Sequence, residues 1–149
     1  MELSLESLAH FLFPSSFPAA AGSLALLACR IFLGSAFVNH GLGKWRDLHG
    51  FAKEFSIPPW LAGAAALSQI VSAILLIPGL LTPFAALSIG ANMAVAVLKL
   101  VGKGEPFVNP HGHSWESAGF YAVMGVSLYL LGPGQLSIDW WLLQRYAAH

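Results

Sequence analysis

Apolar positions gather in four long runs, separated by short polar segments. The runs cover roughly residues 22–43, 59–80, 83–101 and 114–132. Each approaches the length of about 20 mostly apolar helical residues that crosses a bilayer core of about 30 Å. Ala, Leu and Gly dominate them and strict alternation is absent, so helices are expected rather than strands. Pro59 and Pro83 suit first helical positions, and Thr82 and Ser114 suit N-caps. Glu116 suits the positive end of the fourth helix, while Gly79 and Gly132 suit C-terminal stops. So few residues separate the second run from the third that the two helices must be antiparallel neighbours.

The flanks read differently. The opening MELSLESLAHFLFPSSFP has no basic start, carries Glu2 and Glu6, and breaks at Pro14 and Pro18, so it does not read as a secretory signal. Leu5, Leu8, Phe11 and Leu12 share one helical face, which predicts a short interfacial helix. The ending LSIDWWLLQRY also reads as interfacial, with Trp140 and Trp141 at headgroup depth. The expectation is an all-α integral membrane four-helix bundle with interfacial N- and C-terminal segments. It forms one domain over residues 1–149, with no internal repeat.

Composition narrows the function classes. Charged residues make up 9% of the chain and hydrophobic residues 56%, with a mean hydropathy of +0.68. A usual charged share is about 25%. This balance excludes a disordered chain, and it leaves too few charges to coat a soluble helical protein. Seven Lys plus Arg offset seven Asp plus Glu, so nothing favours nucleic acid. Cys29 is the single cysteine, which excludes an internal disulfide and paired-thiol redox chemistry. Four spans would place Lys44, Arg46, Lys53, Lys99 and Lys103 on one side and Arg145 on the other. By the positive-inside rule, loops 44–58 and 102–113 are then cytoplasmic.

A few polar residues lie where a membrane helix rarely carries them. Arg30 is deep in the first run, and Gln69 and Asn92 lie near mid-depth in theirs. An Arg at a helix centre costs about 2.5–3.5 kcal/mol on the insertion scale, so it must face the bundle interior or snorkel. Asp139 is the acid expected on its side, which suggests an Arg30–Asp139 ion pair pinning the C-terminal segment. A substrate role for Arg30 stays open beside it. Arg30, Gly34, Phe37, Gly41 and Lys44 fall on one face, where the glycines would let a helix or a flat ligand approach closely.

At the opposite end gather His40, Lys44, Lys99 and Glu116, ringed by Trp45, Trp60 and Trp115. Such a cluster offers a proton donor and acceptor for a carbonyl or quinone oxygen. The plainer alternative is an interfacial belt of snorkelling cations and anchoring tryptophans. The candidate ligand-binding residues are therefore Arg30, His40, Lys44, Gln69, Asn92, Lys99 and Glu116. A bis-His haem needs histidines on facing spans, and only His40 lies within one. His111 and His113 with Glu116 have a weak spacing for metal, so neither a metal nor an intrinsic cofactor is expected.

Three pieces of the chain resemble the DoxX family in the family's order. RIFLGSAFVNHGLGKW at 30–45 is similar to its first-helix signature. PGLLTPFAALSIGANMAVA at 78–96 resembles its turn between the second and third helices, and GPGQLSID at 132–139 its closing segment. Gln69 stands where the family often has Glu, and Pro83 where it often has Arg. By matching position, Arg30, His40, Lys44, Gln69 and Asp139 are the family-pattern residues.

The resemblance implies a four-helix protein of a membrane, here expected to be the bacterial inner membrane. Family members resemble the quinone-reactive membrane subunit of thiosulfate:quinone oxidoreductase. Others belong to oxidative-stress complexes, and a eukaryotic branch acts as an assembly chaperone. Two readings follow. One is an accessory subunit of a membrane redox complex, binding a quinone or similar lipid between its helices. The other is a non-enzymatic assembly factor. Expected partners are the bilayer and other membrane subunits or a second copy. Neither loop is long enough for a soluble catalytic domain, which disfavours a stand-alone enzyme.

Overall fold

A computed structural model describes residues 19–110 and 112–147, and among them it contains six helices and no strand. They are α1 (Ala19–Arg46), α2 (Leu48–Phe55), α3 (Pro59–Leu76), α4 (Thr82–Gly102), α5 (Glu116–Leu131) and α6 (Ile138–Ala147). The interfacial helix expected before Pro18 lies outside the described residues. Three helices, α1, α3 and α4, are long and apolar enough to cross a membrane. The fourth apolar run forms α5, of 16 residues. At 1.5 Å per residue it reaches about 24 Å, short of a full hydrocarbon core.

The three long helices and the shorter α5 pack in turn: α1 on α3 and α5, α3 on α4, and α4 on α5. The core is narrow and rich in small residues. Ala73, Ala85, Ala86, Ala96 and Ala118 are buried with Leu33, Phe37, Leu76, Ile89, Met93 and Leu128. Large apolar side chains point outward instead, among them Phe84 and Leu130, each 73% exposed. That inversion suits a chain solvated by lipid.

Small residues set the helix spacing. Gly34 lies against the Ala73 carbonyl and Gly41 against the Ala66 carbonyl, so the α1 glycines serve α3. A Cβ on Gly125 would stand 2.9 Å from both the Ala86 oxygen and the Gly90 nitrogen. Gly90 and Ala66 are therefore used inside the bundle. Gly125→Leu should force α4 and α5 apart and cost about 1–3 kcal/mol. Thermal unfolding in mild detergent would show this as a lowered midpoint; an unchanged midpoint would refute the close contact.

Two expected caps are corrected. Ser114 does not cap α5; Trp115 occupies the cap position without a side-chain bond. The exposed amides go to backbone instead, Trp115 N donating to Pro106 O and Glu116 N to Phe107 O. Thr82 lies inside α4, and Leu81 is the cap residue, at φ 50°. Its acceptors come from far along the chain. Asp139 accepts from Leu81 N at 2.8 Å and from Thr82 N at 2.7 Å. A carboxylate there meets two free amides and the positive end of the helix dipole.

Candidate functional site

The seven candidate residues divide into separate places. Arg30 is fully buried at the end of the bundle that carries the α3–α4 turn. Its Nη2 donates to the Leu136 carbonyl, while Nε and Nη1 have no hydrogen-bond partner among the described residues. Asp139 acts on Arg30 through space, but its two oxygens bond the Leu81 and Thr82 amides rather than the guanidinium. The C-terminal segment is pinned here through backbone as well. Ile138 N donates to Pro78 O, Asp139 N to Gly79 O, and Gln135 N to Ser23 Oγ.

At the other end the structure brings four candidates together. Lys44, Gln69, Asn92 and Lys99 line one cavity of about 330 Å³, bounded by α2, α3 and α4. Lys44 Nζ donates to Gln69 Oε1 at 3.0 Å, and Gln69 is 1% exposed. Asn92 Nδ2 donates to Ser68 Oγ and to Ser88 O, which leaves its carbonyl oxygen for another group. Lys99 Nζ donates to Phe55 O, holding the last turn of α2.

The roof of this cavity is the part sequence reasoning missed. Residues 48–55 were expected to be loop, yet they form α2. Asp47 caps it by accepting from Gly50 N at 2.9 Å. Phe51 and Phe55 then stand one turn apart, with ring centroids separated by 4.9 Å. Lys44 Nζ sits 4.7 Å from the Phe51 centroid, in a cation–π contact. Lys103 sits 5.5 Å from the Phe55 centroid and donates to Glu54 O. The signal was present: an Asx cap followed by Leu48, Phe51, Ala52 and Phe55 at helical spacing.

His40 and Glu116 do not enter that cavity. His40 packs edge-on against Tyr121 at 5.7 Å and shares a smaller cavity of about 150 Å³ with Lys44. Glu116 lines a groove on the α5 side. Trp45 and Trp60 are exposed, as an interfacial belt requires, whereas Trp115 packs at a tilt against Phe107, with ring centroids 4.5 Å apart. Among the described residues no three His, Cys, Asp or Glu side chains gather as a metal site; His111 is not among them.

Residues 25–102 match the DoxX family model, from within α1 to the end of α4. This chain belongs to the DoxX family. No curated protein and no solved structure matches it. The DoxX match covers Arg30, the whole Lys44–Gln69–Asn92–Lys99 cavity and the α3–α4 turn. Asp139 and the Gly132–Asp139 segment lie beyond it, although the fold returns them to that turn. With its family and its three apolar helices, this DoxX protein is an integral membrane protein in contact with the bilayer.

Proposed function

We propose that this protein is an accessory subunit of a membrane redox complex, and that its α2–α3–α4 cavity seats the head of a quinone or similar lipid. The single observation behind this reading is the contact of half-buried Lys44 with buried Gln69 on the wall of a 330 Å³ cavity roofed by two phenylalanines. That volume falls at the lower end of small-molecule pockets, about 300–1,000 Å³. In this reading α5 completes four spans, and the end bearing Lys44, Lys53, Lys99 and Lys103 faces the cytoplasm of a bacterial inner membrane.

A bound quinone would supply a two-electron, two-proton couple, with electrons delivered by a partner subunit. The chain's own residues would bind and orient it. Lys44 has donors to spare beyond Gln69, and the Gln69 amide nitrogen is a further donor to a carbonyl oxygen. The Asn92 carbonyl would accept from a hydroxyl. Phe51 and Phe55, with Leu61 and Val95, give apolar walls for a flat ring.

The test is extraction of lipid from protein purified in mild detergent. The wild type should carry quinone near one per chain, and Lys44→Met should lower retention about tenfold, the loss of one charge-assisted bond. No quinone in the wild type, or equal retention by the variant, would overturn the reading. The assembly-factor alternative draws on a different face. Gly63 has nothing within 4 Å, and Trp60 and Leu67 on the same helix are 73% and 50% exposed. A stoichiometric partner in a native pull-down, with no quinone, would favour it.

A further inference from the structure

Glu116 lines a groove of about 360 Å³, distinct from the quinone cavity. It runs between α1 and α5 and is lined by Phe32, Ser114, Glu116, Ser117, Phe120 and Met124, with Tyr121 at its side. The Glu116 carboxylate makes no hydrogen bond or ion pair with any described residue. From Glu116 to Met124 the α5 wall descends about 12 Å, at 1.5 Å per residue. Over that distance it passes from a carboxylate and hydroxyls to Phe120 and Met124. Phe32 and Phe120 are 60% and 62% exposed, so the apolar foot lies open along the helices. A polar mouth above an open apolar channel matches an amphiphile lying parallel to the bundle.

The charges specify the head. Ser117 and Tyr121 also line the smaller cavity, where His40 and Lys44 stand. An acid therefore flanks one side of this hydroxyl pair and a cation the other. A purely anionic head would meet the Glu116 charge, while a simple amine would bring no acceptor for the Ser117 and Tyr121 hydroxyls or for the spare donors of Lys44, whose own acid, Glu54, acts on it only through space. We propose that the α1–α5 groove binds a zwitterionic aminophospholipid. Its ammonium lies at Glu116, its phosphate at Ser117 and Tyr121 on the Lys44 side, and one acyl chain runs along Phe120, Phe32 and Met124.

Lys44 stands beside both this groove and the quinone cavity, so the test is placed at Glu116, which lines the groove and not that cavity. Delipidated protein in mild detergent is titrated with phosphatidylethanolamine or phosphatidylglycerol and followed by native mass spectrometry. Phosphatidylethanolamine should bind about tenfold more tightly, since like charges across an interface are costly. Glu116→Gln should erase that preference and leave quinone retention as in the wild type. Equal affinity for the two lipids in the wild type overturns the proposal without any variant. So does an undiminished preference in Glu116→Gln. A protein that retains no quinone but keeps the lipid preference loses the earlier reading and retains this one.

Discussion

Asp139→Ala is expected to lower the stability of the detergent-solubilised protein by about 2–4 kcal/mol. Two losses add. The first is the cap. Asp139 serves the Leu81 and Thr82 amides, and removing it leaves both without their acceptors. Loss of an N-cap costs about 0.5–2 kcal/mol, and a carboxylate bonded to two amides belongs at the upper end. The second is the buried cation. Arg30 is fully buried with one polar contact, to the Leu136 carbonyl, and Asp139 is the acid that offsets its charge. Stranding a buried charge costs several kcal/mol, discounted here because Asp139 is itself half-buried.

The two losses can be separated. Arg30→Met removes the charge and its two unpartnered donors while keeping most of the volume. In that background Asp139→Ala should cost only the cap, about 2 kcal/mol. Asp139→Asn keeps one acceptor and a neutral side chain, so it should fall between. Thermal or denaturant unfolding in one detergent measures the wild type and all four variants. Limited proteolysis should cut α6 first in Asp139→Ala, because that residue ties the helix to the α3–α4 turn. An Asp139→Ala effect that is the same with Arg30 and with Met at position 30 would refute the electrostatic share.

How much of this was legible in the chain depends on the kind of signal. The long helices were legible because lipid solvation imposes a compositional demand over about 20 residues. The α2 roof was harder, since eight residues with a cap look like a polar loop when the search is for spans. Arg30 and Asp139 could be matched by side and by sign, but not by bonding. Nothing in a linear sequence says that a carboxylate will prefer two backbone amides over a guanidinium. That choice follows from the α3–α4 turn, where Leu81 takes a left-handed conformation and presents its N–H with that of Thr82. The site divided similarly. Lys44 and Gln69 lie on different helices at matched depth, so their meeting follows once α1 packs on α3. Glu116 has the same depth, but on the opposite side of Lys44, and depth alone could not distinguish the two sides.

Gly79→Ala should be the most damaging single-methyl change in the described chain, at about 3–5 kcal/mol. Gly79 sits at φ 73°, where a residue with a Cβ pays about 1–2 kcal/mol. The larger part is steric. The new Cβ would fall on Nη1 of Arg30 and 2.6 Å from Cβ of Ser137. Neither neighbour can retreat freely. The guanidinium is enclosed and bonded to Leu136 O, and Ser137 is held by its hydroxyl to Gly134 O at 2.7 Å. Gly104 supplies the control: its φ is 78°, and nothing lies within 4 Å of its Cβ position. Gly104→Ala should therefore show the conformational cost alone, about 1 kcal/mol. Combining Gly79→Ala with Arg30→Met should recover a large share of the difference, because the thioether can bend where the planar guanidinium cannot. Unfolding midpoints of the three variants decide the matter. If Gly79→Ala is no worse than Gly104→Ala, the contact between the turn and Arg30 is not what holds this end of the bundle together.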